Sequence, residues 1–125
     1  MASIPPRSKI DKKYKWNSES VFPNDKAWEK EVEKIIADIP SVKKYQGTLG
    51  ESAAVLLKGF KAFEDLVVRA QKAFMYASFA YSVDTTDQKA AGMRAKAGGM
   101  YGQVASVVSF LQPELLEIGK AKLDK

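Results

Sequence analysis

Histidine and cysteine are both absent from this chain of 125 residues. Histidine is the only side chain whose unperturbed pKa lies near neutrality, and it is also the commonest metal ligand. Without imidazole and thiolate, zinc sites of the usual kind, Ser-His-Asp triads and Cys-His dyads cannot be built from these residues. A disulfide framework is excluded as well, so a reducing compartment is compatible with the chain. Long apolar runs are also missing. The longest stretch without charge, Ala97 to Pro113, is 17 residues and contains two Gln and two Ser. A membrane span needs about 20 predominantly apolar residues. The start, Met1-Ala2-Ser3-Ile4-Pro5-Pro6-Arg7, has no apolar core of signal-peptide length. A protein that is soluble, unexported and cytoplasmic is expected.

What is present describes a globular domain. Hydrophobic residues make up 46% and charged residues 28%, a balance that excludes a disordered chain. At this length one domain is the natural count, and folding can bury roughly two thirds of the chain's surface.

After residue 50 the apolar residues recur at helical spacing. One run is Leu56, Phe60, Phe63, Val67, Ala70, Phe74, Ala77, Tyr81, in alternating steps of four and three. It keeps one seam, with Phe74 upon it, facing a partner over about seven turns. A second run is Ala90, Met93, Ala97, Met100, Val104, Val107, Leu111. Between them Thr85 and Gln88 have the spacing of a capping box, which predicts a new helix start. So short a connection forces the two helices antiparallel. Upstream, Trp28, Val32, Ile35 and Ile39 predict a shorter helix, started by Asn24 or Asp25 and ended by Pro40. Its other face, Lys30, Glu31, Glu33 and Lys34, reads as a solvated stripe. A helical turn over 41–46 closing at Gly47, then a capping box of Thr48 and Glu51, completes the pattern. Residues 1–22 lack helical periodicity. The expectation is an all-α fold: a long antiparallel hairpin packed with a shorter N-terminal helix, in a single domain over 23–125 behind an extended arm over 1–22.

The second hairpin arm carries Gly92, Gly98, Gly99 and Gly102. Each interior glycine costs a helix about 1 kcal/mol relative to alanine, so a close crossing is expected there. The first arm poses a different problem. Its polar face runs Lys58, Lys61, Asp65, Arg69, Lys72 and then continues into Met75, Tyr76 and Phe79. A helix apolar all round is normally buried on all sides. Either the arm covers this half-helix, with Tyr14, Trp16, Val21 and Phe22 available, or Met75, Tyr76 and Phe79 form an inter-domain or self-association surface.

Other chemistry finds little support. Arg7, Lys9, Lys12, Lys13, Tyr14, Lys15 and Trp16 interleave basic and aromatic residues, and the net charge is +5. Clustered Lys and Arg are the footprint of phosphate binding. Asp11, Glu19 and Asp25 interrupt the run, and no DNA or RNA module accompanies it, so nucleic acid is not the expected partner. The pairs Glu64-Asp65 and Asp84/Asp87 read as surface charge and helix capping rather than as acid-base machinery. No phosphate loop or calcium loop occurs.

Three segments, read together, resemble a known family. Tyr14-Lys15-Trp16-Asn17, the Phe22-Pro23 turn and Trp28-Glu29 resemble the opening of bacterial oligoendopeptidase F proteins. Tyr76-Ala77-Ser78 followed by Asp84-Thr85, and Phe110-Leu111-Gln112-Pro113-Glu114-Leu115-Leu116, resemble later motifs of that family in the same order. The agreement spans roughly residues 5 to 120. The resemblance implies the N-terminal domain of a zinc metallo-oligopeptidase related to thimet oligopeptidase, forming one wall of a cleft that admits short peptides. It implies a catalytic domain, with its zinc, in a part that this chain does not contain. The family's His-Glu-x-x-His pattern does not occur here, so no catalytic, cofactor-binding or metal residue is assigned to any position. The implied partner is the missing catalytic domain or, through the apolar half-helix, a second copy. A free-standing helical protein-binding module is the alternative.

Overall fold

The computed structural model describes residues 3–125; Met1 and Ala2, part of the expected arm and of the expected leaderless start, lie outside the described residues. All regular structure among them is helical. Three long helices, α1 (Asp25–Lys43), α2 (Ala53–Val83) and α3 (Gln88–Val108), pack pairwise against one another. Two short ones follow, α4 (Leu111–Ile118) and α5 (Lys120–Leu123). The four residues between α2 and α3 fold the pair into the expected antiparallel hairpin. Ahead of α1, the chain is an irregular segment with three 3₁₀ turns, Arg7–Lys9, Lys12–Tyr14 and Ser18–Ser20.

Several local expectations are corrected. Asn24, not Asp25, caps α1, its side chain accepting from the Ala27 amide at 2.9 Å. Pro40 does not end α1, which runs on to Lys43 and takes in the first half of the expected turn. Pro40 lies on the exposed side of the helix, where water can take the carbonyl that its missing N–H leaves unpaired. The Thr48/Glu51 box does not form; Ser52 caps α2 by accepting from the Val55 amide at 3.2 Å. Thr85 likewise gives way to Asp87, which accepts from the Lys89 and Ala90 amides. A carboxylate there also meets the positive end of the helix dipole, which a threonine hydroxyl cannot exploit as well. The second run does not reach Leu111 in one helix, because α3 stops at Val108 and α4 starts afresh.

The core gathers Trp28, Val32, Ile35 and Val42 from α1, Leu66, Ala70, Ala73, Tyr76 and Ala77 from α2, and Met93, Ala97, Met100 and Val104 from α3. On α2 this stripe is rotated from the expected seam. Phe74, expected at the seam, is half-buried beside Tyr101, ring centroids 5.4 Å apart. The expected close crossing at the α3 glycines is also absent. Side chains built on Gly92, Gly98, Gly99 or Gly102 would meet nothing within 4 Å. The close approach is at Gly59, where a Cβ would stand 2.6 Å from Leu49 Cδ2.

Candidate functional site: the far end of α2

The half-helix without charge divides into an inner and an outer part. Tyr76 turns inward and is 7% exposed. Its ring stacks on Trp28 at 6.5 Å and meets Phe22 edge-on at 5.3 Å. Trp28 Nε1 donates to the Ala73 carbonyl at 2.8 Å, so α1 and α2 are pinned at this level. The Tyr76 hydroxyl donates to Asp25 at 2.9 Å, and Lys89 pairs with the same carboxylate at 2.7 Å. Burial, and then the bond to Asp25, push the phenol up to about 12. The Lys89 ammonium, opposed by burial and helped by Tyr76, holds the Asp25 carboxyl below its ordinary range. Tyr76 is therefore core, and it drops out of the exposed surface on which the sequence had put it. The signal that could have found this is its place next to Ala77, on the side of α2 that faces Trp28.

Met75 and Phe79 point the other way, at 50% and 42% exposure. Leu57 and Val68 share their face of α2, 11 and 7 residues apart from one another and from Met75 in turn, and are also exposed. This stripe lies opposite Leu66, Ala70, Ala73 and Ala77, the side that the core uses. The N-terminal segment covers only its end: Trp16 meets Phe79 edge-on at 4.9 Å and stays 43% exposed itself. Arg7 fixes the turn that presents Trp16 by donating to the Trp16 carbonyl at 2.7 Å. A shallow groove of about 340 Å³ runs between this segment and α2, bounded by Arg7, Trp16, Asp25, Tyr76, Phe79 and Asp87.

The polar face of α2 is not uniformly solvated. Arg69 donates to Glu31 at 2.6 Å, to Asp38 at 2.8 Å and to Asp65 at 3.2 Å. Burial works against its charge, but the three carboxylates outweigh it and hold the guanidinium more firmly protonated. Glu31 and Asp38 thus tie α1 to α2, where the sequence suggested a free stripe. Glu64 and Asp65 remain exposed, and Asp84 accepts from the amide and hydroxyl of Thr86 in the hairpin turn. None of these carboxylates faces a second one across an enclosed site.

Zinc needs converging imidazole, thiolate or carboxylate ligands. Neither of the first two exists in the sequence, and among the described residues no group of three or more carboxylates is placed to hold a metal ion, Glu31, Asp38 and Asp65 being gathered on Arg69 instead. The residues present do not fit that ion. No helix among them is long and apolar enough to cross a membrane.

No family model and no solved structure matches the chain. Known proteins do. It is 34% identical over 122 residues, 98% of its length, to Oligopeptidase PepF of Bacillus subtilis (strain 168). It is 36% identical over 115 residues, 92% of its length, to Group B oligopeptidase PepB of Streptococcus agalactiae serotype III (strain NEM316). Over 120 residues, 95% of its length, it is 29% identical to the plasmid-borne Oligoendopeptidase F of Lactococcus lactis subsp. cremoris. These matches take up 18%, 19% and 20% of the respective relatives, so the chain spans about a fifth of the length of the curated relatives it matches.

Proposed function

We propose, on the premise that this chain is homologous to an N-terminal region of oligoendopeptidase F-type oligopeptidases, that it is a non-catalytic helical domain of such an enzyme. In this reading it forms part of the wall of a cleft in which short peptides are hydrolysed. The zinc and the hydrolytic groups belong to the four fifths of the relatives' length that the chain does not span. The observation that carries the reading is the pairing of near-complete coverage of the chain with a small share of each peptidase. The outward stripe of Met75, Phe79 and Val68 supports it, because a helix that already has a core on one side has no internal use for a second apolar face. Those residues would pack on the remaining polypeptide.

A quenched fluorescent oligopeptide tests the catalytic half of the proposal. Incubated with zinc, the chain is expected to give no turnover, since it offers no ligand set for that metal. Turnover that survives repurification and is abolished by a chelator would overturn it. The contact of Trp16 with Phe79 favours a second reading, a free-standing helical protein-binding module whose N-terminal segment covers its own apolar end.

A further inference from the structure

We infer that α4 and α5 form a strap, clasped shut by Glu114, that opens as a unit while the three-helix bundle stays folded. The strap differs from the bundle in how it is held. Neither short helix contains a buried residue, whereas α1, α2 and α3 each bury several. Leu116 is 75% exposed and Leu123 is 45% exposed. Apolar anchoring comes from Phe110, just ahead of α4, and from Leu111, Leu115 and Ile118, none of them fully buried; Ile118 Cγ1 lies 3.3 Å from where a Cβ on Gly50 would be.

The remaining attachments are polar, and Glu114 is their centre. One carboxylate oxygen accepts from the Gly47 amide and the other from the Leu49 amide, each at 2.9 Å. Lys122 adds a bond to the Gly50 carbonyl at 2.6 Å. Gly47 has φ +82, a conformation that glycine adopts without steric cost. That turn aims two nearby amides at one point, a concavity suited to an anion. A carboxylate that accepts two amides makes charge-assisted bonds, stronger than neutral ones. With so little buried apolar surface behind it, the strap depends on this clasp. Segments with few buried contacts are the ones that open locally, ahead of global unfolding. Opening would bare Leu115 and Ile118 together with the Gly47 and Leu49 amides.

Amide hydrogen exchange on the 125-residue chain, read by NMR, tests the inference. In the parent chain the α4 and α5 amides, with those of Gly47 and Leu49, should exchange at least ~10-fold faster than the core amides of α1–α3, after correction for intrinsic rates. Glu114→Ala should speed the strap and the two turn amides by a further ~10-fold or more and leave the bundle unchanged. Glu114→Gln, which keeps one neutral acceptor, should fall between. Equal protection of strap and bundle in the parent chain would overturn the inference. Gly47 and Leu49 exchange unaffected by Glu114→Ala, or loss of protection throughout the chain in either variant, would do the same.

Discussion

The two arms of the hairpin, α2 and α3, are joined by four residues and pack along each other, yet they bury themselves in different ways. On α3 every third or fourth residue from Ala90 to Val104 is buried, and the residues between are mostly small or polar. Only one face offers apolar bulk, so only one face can go inside. On α2 large apolar residues occur on every side, and the core selects among them. It takes Leu66 and Tyr76 together with small residues, Gly59, Ala70, Ala73 and Ala77, and leaves Phe60, Phe63 and Phe74 at the margin. The reason is α1. Trp28 stacks on Tyr76 and its Nε1 donates to the Ala73 carbonyl, which fixes the side of α2 that faces α1. Periodicity alone orients a helix with one apolar face, whereas a helix with apolar residues on several faces is oriented by what its neighbours can accommodate.

The most forceful way to break this comparison is to truncate both stripes of α2. Leu66→Ala, at a site 1% exposed, should cost about 2 to 5 kcal/mol through lost burial and a cavity. Phe74→Ala, although it removes more atoms, should cost less, because the half-exposed site can relax and admit water. Chemical denaturation of both variants decides the order. The reverse order would restore the seam drawn from periodicity, and Lys61→Ala, within about 0.5 kcal/mol, serves as the control.

The inward turn of Tyr76 can be read through pH. Its phenol ionises at about 12 in the folded chain against an ordinary 10.0. Between these values the unfolded chain loses the proton and the folded chain keeps it, so folding weakens as pH rises. The stability tied to this group is complete below about pH 10 and declines by about 1.4 kcal/mol per pH unit towards 12. Tyr76→Phe should lose about 1 kcal/mol at neutral pH with the bond to Asp25 and should flatten the alkaline limb. A difference curve between parent and variant that shows no slope above pH 10 would place Tyr76 on the surface.

The smallest effects sharpen the contrast between glycines. Gly98→Ala and Gly102→Ala meet open space and remove a helix-weakening residue, so each should stabilise α3 by up to about 1 kcal/mol. Gly59→Ala drives a methyl into Leu49 and should destabilise by about 1 to 3 kcal/mol. Thermal melts suffice, and a loss of stability in the α3 variants would mean that something packs closely on that face after all.

How much of this was legible in the sequence depended on whether one physical cause acted alone. The all-α class, the hairpin and the α3 seam were legible because spacing alone determines them. Thr85 and Asp87 both read as caps in the sequence, because both residue types suit the role and only the turn geometry chooses between them. Pro40 reads as a stop because the usual clash is real; on an exposed flank the helix tolerates it. Of Met75, Tyr76 and Phe79, the exposure of the first and last is as expected and that of Tyr76 is not. Their apolar character is plain in the sequence, but the depth of Trp28, which draws Tyr76 inward, comes from a contact between residues far apart in the chain. The Glu114 clasp left only a faint signal, an acidic residue in the first turn of a short helix after Pro113. Its partners are backbone amides, which no side-chain pattern reveals.

In the proposed reading the outer face of α2, with Met75 and Phe79, packs on other polypeptide, while its inner face is core. Light scattering over a concentration series, on the parent chain and on a Met75→Glu, Phe79→Glu double variant, tests it most directly. The parent chain should self-associate as concentration rises, and the double variant should stay helical, cooperative in its melting and monomeric. A parent chain that remains monomeric throughout, with a double variant that fails to fold, would contradict it and assign this face to the chain's own core.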